Sequence, residues 1–178
     1  MRVITGTAGG RKLKSPDGDA IRPTTDHVKQ AMFNILQFDL EGRRVLDLFG
    51  GTGQLGIEAL SRGAREVVFT DSSRTAVQLI RENLKRCSLQ GTVIQTDVRR
   101  YLQRGEKFDV IFIDPPYDAG LYNRVLEAIN SVDNLTEGGI IVCEARAGTE
   151  LPSMRLPYVR LQERRYGSVK ICLYTRNA

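Results

Sequence analysis

A chain of 178 residues, 41% hydrophobic and 26% charged, has ordinary globular usage, which excludes a disordered or fibrous class. Its 26 lysines and arginines outnumber 21 aspartates and glutamates, a net +5 that suits an anionic partner without requiring one. No apolar run approaches the roughly 18 residues of a membrane span, Met1-Arg2-Val3 opens no signal-peptide core, and Cys87, Cys143 and Cys172 are spaced for neither a zinc knuckle nor a disulfide framework. Secreted, membrane and zinc-ribbon classes are therefore excluded, and three reduced thiols in a cytosolic protein are expected.

Residues 1–22 place Val3-Ile4 and Leu13 among Gly6, Gly9, Gly10, Pro16 and Gly18, the pattern of a hairpin with a loop tip. Pro23-Thr24-Thr25-Asp26 reads as a capped helix start. Val28, Ala31, Met32, Ile35 and Leu36 then predict an amphipathic helix with that face on the core.

From Arg43 the rhythm becomes strand, helix, strand. Strands are predicted at Val45–Leu48, Glu66–Thr70, Thr92–Gln95, Asp109–Ile113 and Gly139–Cys143. Helices are predicted at Gly53–Ser61 and Ser73–Leu89 and around Tyr122, Val125, Leu126 and Ile129. Short continuous apolar runs between helical patterns indicate a parallel sheet covered on both faces. Tyr158–Leu161 and Val169–Leu173, with Gly167 between them, predict a closing antiparallel pair. The class is doubly wound α/β with a C-terminal β-hairpin, a single domain over residues 1–178. Residues 1–40 form a small N-terminal hairpin and helix annex, and residues 41–178 the core.

Gly51, Gly53 and Gly56 satisfy G-x-G-x-x-G between the first core strand and its helix, and Asp71 lies 20 residues beyond Gly51 at the end of the next strand. Such a loop lets backbone approach a ligand, and the acid can bind ribose hydroxyls. A dinucleotide or another adenosine-bearing ligand such as S-adenosylmethionine fits. Asp47, just ahead of the loop, would repel a pyrophosphate but suits an amino-acid moiety carrying an ammonium and a sulfonium. Asp97, at the end of the third strand, either accepts from an adenine amine or caps the next helix.

Asp114-Pro115-Pro116-Tyr117 closes the fourth strand at its carboxyl end, where open α/β sheets bind ligands. An exocyclic base amine is a poor nucleophile, because its lone pair is delocalised into the ring. The Asp114 carboxylate and the Pro115 carbonyl can accept its two hydrogens, the prolines stiffen the loop, and Tyr117 offers a face for stacking. His27, the only histidine, is assigned no role.

Leu46-Asp47-Leu48-Phe49-Gly50-Gly51-Thr52-Gly53 together with Asp114-Pro115-Pro116-Tyr117 resembles the class I S-adenosylmethionine-dependent amino-methyltransferases. Gly10-Arg11-Lys12-Leu13, Arg22-Pro23-Thr24-Thr25-Asp26, Phe33-Asn34 and Tyr166-Gly167 narrow the resemblance to the bacterial 16S ribosomal RNA guanine-N2 methyltransferases, over essentially the whole chain. The resemblance implies a Rossmann-like catalytic core and S-adenosylmethionine as cofactor. It implies Asp47, Phe49, Gly51 and Gly53 at the methionine end, Asp71 at the ribose, Asp97 at the adenine, and Thr24 and Thr25 in a segment closing over the cofactor's carboxylate side. Asp114, Pro115, Pro116 and Tyr117 would be the catalytic loop. It also implies action on 16S RNA within an assembled or partly assembled small subunit, with no metal and no membrane. The chain departs from the family pattern at Gln30, Gly9 and Gly50.

Arg11, Lys12 and Lys14 are the candidates for phosphate contacts, with Arg99, Arg100 and Arg104 weaker ones. Three rival readings stay open from the residues alone: an adenine-N6 methyltransferase using the same loop, a nicotinamide-dependent oxidoreductase, and a non-catalytic RNA-binding module.

Overall fold

The computed structural model describes residues 1–17, 24–116 and 119–178. Strands β1 (Arg44–Asp47), β2 (Glu66–Asp71), β3 (Thr92–Gln95), β4 (Phe108–Ile113), β5 (Leu135–Arg146), β6 (Tyr158–Tyr166) and β7 (Val169–Arg176) form one sheet in the order β3-β2-β1-β4-β5-β7-β6. The first five strands run parallel, and β7 enters antiparallel between β5 and β6. The doubly wound class and its hairpin finish are as the sequence predicts.

Side chains alternate across the sheet with period 2, as a pleated strand requires. Val45, Val67, Phe69, Val110, Phe112, Val142, Ile171 and Leu173 face one apolar cluster, while Leu46, Val68, Ile111, Ile113, Ile141, Cys143, Cys172 and Tyr174 face the other. Helices α1 (Asp26–Ile35), α2 (Gln54–Ser61) and α3 (Arg74–Arg86) cover the first face; α4 (Val98–Leu102) and α5 (Ala119–Val132) cover the second. Each fully buried aromatic or branched side chain contributes about 1.5–3 kcal/mol, and both faces of the sheet carry such side chains.

The strand boundaries differ mainly at the hairpin and in β5, which continues through Glu144 to Arg146 because it pairs with β7 along Ile140–Arg146. The buried face of α1 is also rotated from the predicted one. Val28, Met32 and Leu36 are buried as expected, but Lys29 and Phe33 join them, and Phe33 stacks against Phe112 at 5.6 Å. Ala31 and Ile35 instead line a groove against Gln162, Arg164 and Tyr166 of β6. Periodicity misplaces this face because a buried lysine breaks the apolar pattern.

The annex is held as a single antiparallel bridge, Arg2 with Lys12, flanked by Val3 N–H to Arg11 O and Leu13 N–H to Met1 O. It is fastened to α2 by polar groups. Ile4 and Thr5 donate backbone N–H bonds to the Glu58 carboxylate at 2.8 and 3.1 Å, and Ala8 donates to Ser61 Oγ at 2.9 Å. Cys87, Cys143 and Cys172 are free and buried. Among the described residues no helix is long and apolar enough to cross a membrane, and no acid, histidine and cysteine cluster forms a metal site.

Candidate active site

The chain reverses direction across the sheet between β1 and β4, and ligands of open α/β sheets bind outside the carboxyl ends of the strands at such a switch point. The acids singled out from the sequence fall on that edge. Asp47 ends β1, Asp71 ends β2, Asp97 follows β3 and Asp114 follows β4. A fifth acid, Glu144 of β5, joins them.

The glycine loop joins β1 to α2. Gly53 caps α2 with φ +83°, a conformation that suits glycine, and Gly56 packs so closely on β2 that a Cβ there would lie 2.2 Å from the Phe69 ring. Gly50 abuts Ile80, whose Cδ1 would lie 2.6 Å from an added Cβ, so an alanine there would require Ile80 to shift. Phe49 is half-buried against the second apolar cluster. Gly51 donates its N–H to Asp71 Oδ2 at 3.0 Å, and Ser73 donates to Asp71 Oδ1 at 2.9 Å. A carboxylate has about four lone-pair sites, so these two bonds orient Asp71 and leave capacity for two ligand hydroxyls.

Asp47 is 2% exposed and accepts one bond, from Gly56 N–H at 3.0 Å. Burial pushes its carboxyl up to about 7, with Asp71 adding repulsion. A cation placed beside Asp47 would restore the ionised form, so the residue suits an ammonium-bearing ligand.

Asp97 is the N-cap of α4, accepting from Arg100 N–H at 3.2 Å, and its side chain is exposed. Of its two sequence readings the helix cap is present, and the cap leaves an exposed carboxylate at the sheet edge. Thr25 is the N-cap of α1, accepting from Val28 N–H at 3.3 Å. Thr24, buried, has its hydroxyl 2.7 Å from Glu144 Oε2 and 3.3 Å from Asp114 Oδ2. Burial, then Glu144, then Asp47 hold the Asp114 carboxyl well above the usual range. Pro115 is buried and Pro116 exposed; Tyr117 lies outside the described residues, as do Arg22 and Pro23.

Sequence reasoning misses Glu144, because the apolar run of the fifth strand ends at Cys143. An acid directly following an apolar strand, as at Asp71 and Asp114, is the signal that finds it.

Arg11, Lys12 and Lys14 are exposed, but two of the three are engaged. Arg11 donates to Arg86 O at 2.9 Å at the end of α3, and Lys14 pairs with Glu82 at 3.0 Å. Lys12 is exposed on the same edge. Arg99 and Arg100 are exposed, and Arg104 lies over the Tyr101 ring and within 3.4 Å of Glu106.

The family described as conserved hypothetical protein 95 matches residues 1–175. Ribosomal RNA small subunit methyltransferase D of Escherichia coli is 32% identical over 180 residues, covering 100% of this chain and 91% of that protein. The YlbH protein of Bacillus subtilis is 39% identical over 182 residues, 99% of each chain. The solved structure of yhhF from Escherichia coli is similar with a TM-score of 0.90 at 31% identity, over 100% of this chain and 98% of that one. Sequence and structure agree along the full described length, and the chain belongs to the conserved hypothetical protein 95 family, as a relative of ribosomal RNA small subunit methyltransferase D.

Proposed function

We propose that this protein transfers a methyl group from S-adenosylmethionine to the exocyclic N2 amine of a guanine in 16S ribosomal RNA. The observation that carries the reading is the position of Asp114 beside Asp47 at the switch point of the sheet, in a relative of small subunit methyltransferase D. The cofactor, when bound, supplies a sulfonium methyl whose leaving group departs as a neutral thioether.

The chain's own residues do the rest by placement. Asp47 receives the ammonium of the cofactor's amino-acid end, Asp71 the ribose hydroxyls and Asp97 the adenine side, with Phe49, Gly51 and Gly53 shaping the loop. Thr24 and Thr25 belong to the segment that closes the site. Asp114 and the Pro115 carbonyl take the two hydrogens of the target amine, so the nitrogen lone pair is turned out of the ring and aimed at the methyl donor. Pro116 restricts the loop, and Tyr117 stacks on the base. Arg11, Lys12 and Lys14 hold phosphates. The substrate is the RNA within an assembled or partly assembled small ribosomal subunit, in the cytoplasm.

Transfer of labelled methyl to small subunits lacking their native base methylations tests this, with naked 16S RNA and duplex DNA in parallel. Label recovered as N2-methylguanine at one position is the expected result. N6-methyladenine, or no transfer despite cofactor binding, overturns the substrate.

A further inference from the structure

The Thr24 hydroxyl stands between two carboxyl groups, 2.7 Å from Glu144 Oε2 and 3.3 Å from Asp114 Oδ2. A threonine hydroxyl owns one proton and donates it once. The hydroxyl is placed to donate to either carboxyl, and the shorter contact assigns its proton to Glu144, which leaves a lone pair of Thr24 Oγ1 turned toward Asp114. Two facing lone pairs repel, so the contact with Asp114 is favourable when Asp114 itself carries a proton and donates it.

We infer that Glu144 is a positioning residue for methyl transfer: by taking the Thr24 proton it fixes Thr24 Oγ1 as an acceptor for Asp114, and so fits Asp114 to hold the proton that the methylated amine releases. The inference rests on the reading of Asp114 as the partner of the target amine. In the step, the amine nitrogen uses its lone pair to form the new N–C bond, and the pair of the breaking C–S bond leaves with sulfur. The nitrogen, now cationic, keeps the electrons of one N–H bond while that proton passes to the Asp114 carboxylate. Asp114 then donates to Thr24 Oγ1, and Thr24 keeps its own proton on the Glu144 side.

The surroundings of Asp114 favour this state. Among the described residues, the ionisable groups facing it are Glu144 and the Cys143 thiol from β5 and Asp47 from β1, and none of them brings a positive charge. Burial and the two neighbouring carboxylates favour a protonated Asp114, and a Thr24 hydroxyl donated to Asp114 would oppose that state, so the direction of this one hydrogen bond is what the proposal turns on.

The test follows Asp114 in the unliganded protein by carbon-13 NMR of labelled aspartate, in wild type, T24V, T24S and E144Q, alongside pH profiles of kcat. Removing an acceptor from Asp114 lowers its titration midpoint, so T24V is expected to titrate about one pH unit lower, and T24S to return the midpoint toward wild type. E144Q is expected to lower it too, to move the acidic limb of kcat with it, and to reduce kcat roughly tenfold with the KM for S-adenosylmethionine within about twofold. A midpoint that rises in T24V would mean that Thr24 donates to Asp114, and a limb that stays in place in E144Q would make Glu144 merely structural; either overturns the inference. Wild-type protein that methylates no guanine would instead sink the proposed function, while the titrations on unliganded protein still decide the hydrogen-bond direction.

Discussion

Lys29 Nζ and a carboxylate oxygen of Glu58 lie 3.9 Å apart, with neither side chain exposed to solvent. Lys29 also donates to Arg2 O at 2.5 Å, and Glu58 receives Arg62 Nε at 2.9 Å besides the two backbone N–H groups of the annex. Burial lowers the Lys29 pKa against the opposing pull of Glu58. The pair is unequal, because Glu58 accepts three hydrogen bonds besides facing Lys29, whereas removing Lys29 also removes its own desolvation cost. Glu58→Ala is expected to cost about 3–5 kcal/mol, the range for orphaning buried charge, and Lys29→Met clearly less. Urea unfolding of both variants checks the order.

The Asp47 carboxyl, raised to about 7, gives a signed pH dependence. Between the ordinary carboxylate value and about 7 the native state binds more protons than the unfolded state, so this group's contribution to stability falls as pH rises through that window. Each unit of displacement corresponds to about 1.4 kcal/mol. Asp47→Asn, which keeps an acceptor for Gly56 N–H, should raise the melting temperature at pH 8 and bring little gain near pH 4. The same variant should bind S-adenosylmethionine more weakly by about 1.5–3 kcal/mol, the range for a charged hydrogen bond, read by calorimetric titration.

Asp114→Ala should abolish detectable methyl transfer while cofactor affinity stays within a few-fold of wild type. Near-normal turnover would remove the carboxylate from the amine-binding role. Single-turnover transfer and equilibrium binding on the same preparation separate the two quantities.

Gly6 and Gly10 both have left-handed φ, +90° and +83°, yet their surroundings differ. A Cβ at Gly6 would lie 1.8 Å from the Ser61 carbonyl oxygen, whereas one at Gly10 meets nothing within 4 Å. Gly10→Ala should cost about 1–2 kcal/mol of backbone strain. Gly6→Ala adds a backbone collision and should unseat the annex from α2, seen as faster amide exchange at Thr7 and Ala8, whose N–H groups bond Ser61.

The fold is legible because its strands are short, continuous apolar runs, and because the acids of the sheet edge follow those runs directly. Asp71 and Asp114 are found in this way, and Asp47 by its place just ahead of the glycine loop. The face of α1 is not, since Lys29 sits where the pattern expects an apolar residue and is satisfied by Glu58 from α2 and by Arg2 O from the annex. Glu144 directly follows the apolar run of the fifth strand and is reached by the same rule as Asp114, but the strand's continuation to Arg146 is not. The length of β5 is set by pairing with β7, a long-range partnership between segments more than 20 residues apart that no local pattern carries.

Converting Arg11, Lys12 and Lys14 to glutamine should weaken RNA binding and flatten its salt dependence, by up to about 0.7–0.9 in log–log slope for each phosphate no longer neutralised. Lys14 must leave Glu82 to reach a phosphate, so its share should be smaller than that of Lys12. Filter binding across a salt series measures the slope, and an unchanged slope removes this surface from the interface.

One buried amide ties the annex to the glycine loop. Asn83 of α3 donates to Lys14 O at 3.0 Å and to Thr52 O at 2.9 Å, and accepts from Lys14 N–H at 2.7 Å. Two segments that would serve different ligands therefore hang from the same side chain. A variant at Asn83 with reduced affinity for both RNA and S-adenosylmethionine would be reporting a failed hinge pin, not a residue that touches either. Paired defects in a mutational scan of this protein mark shared mounting, and residues that touch a ligand directly are identified by defects that come singly.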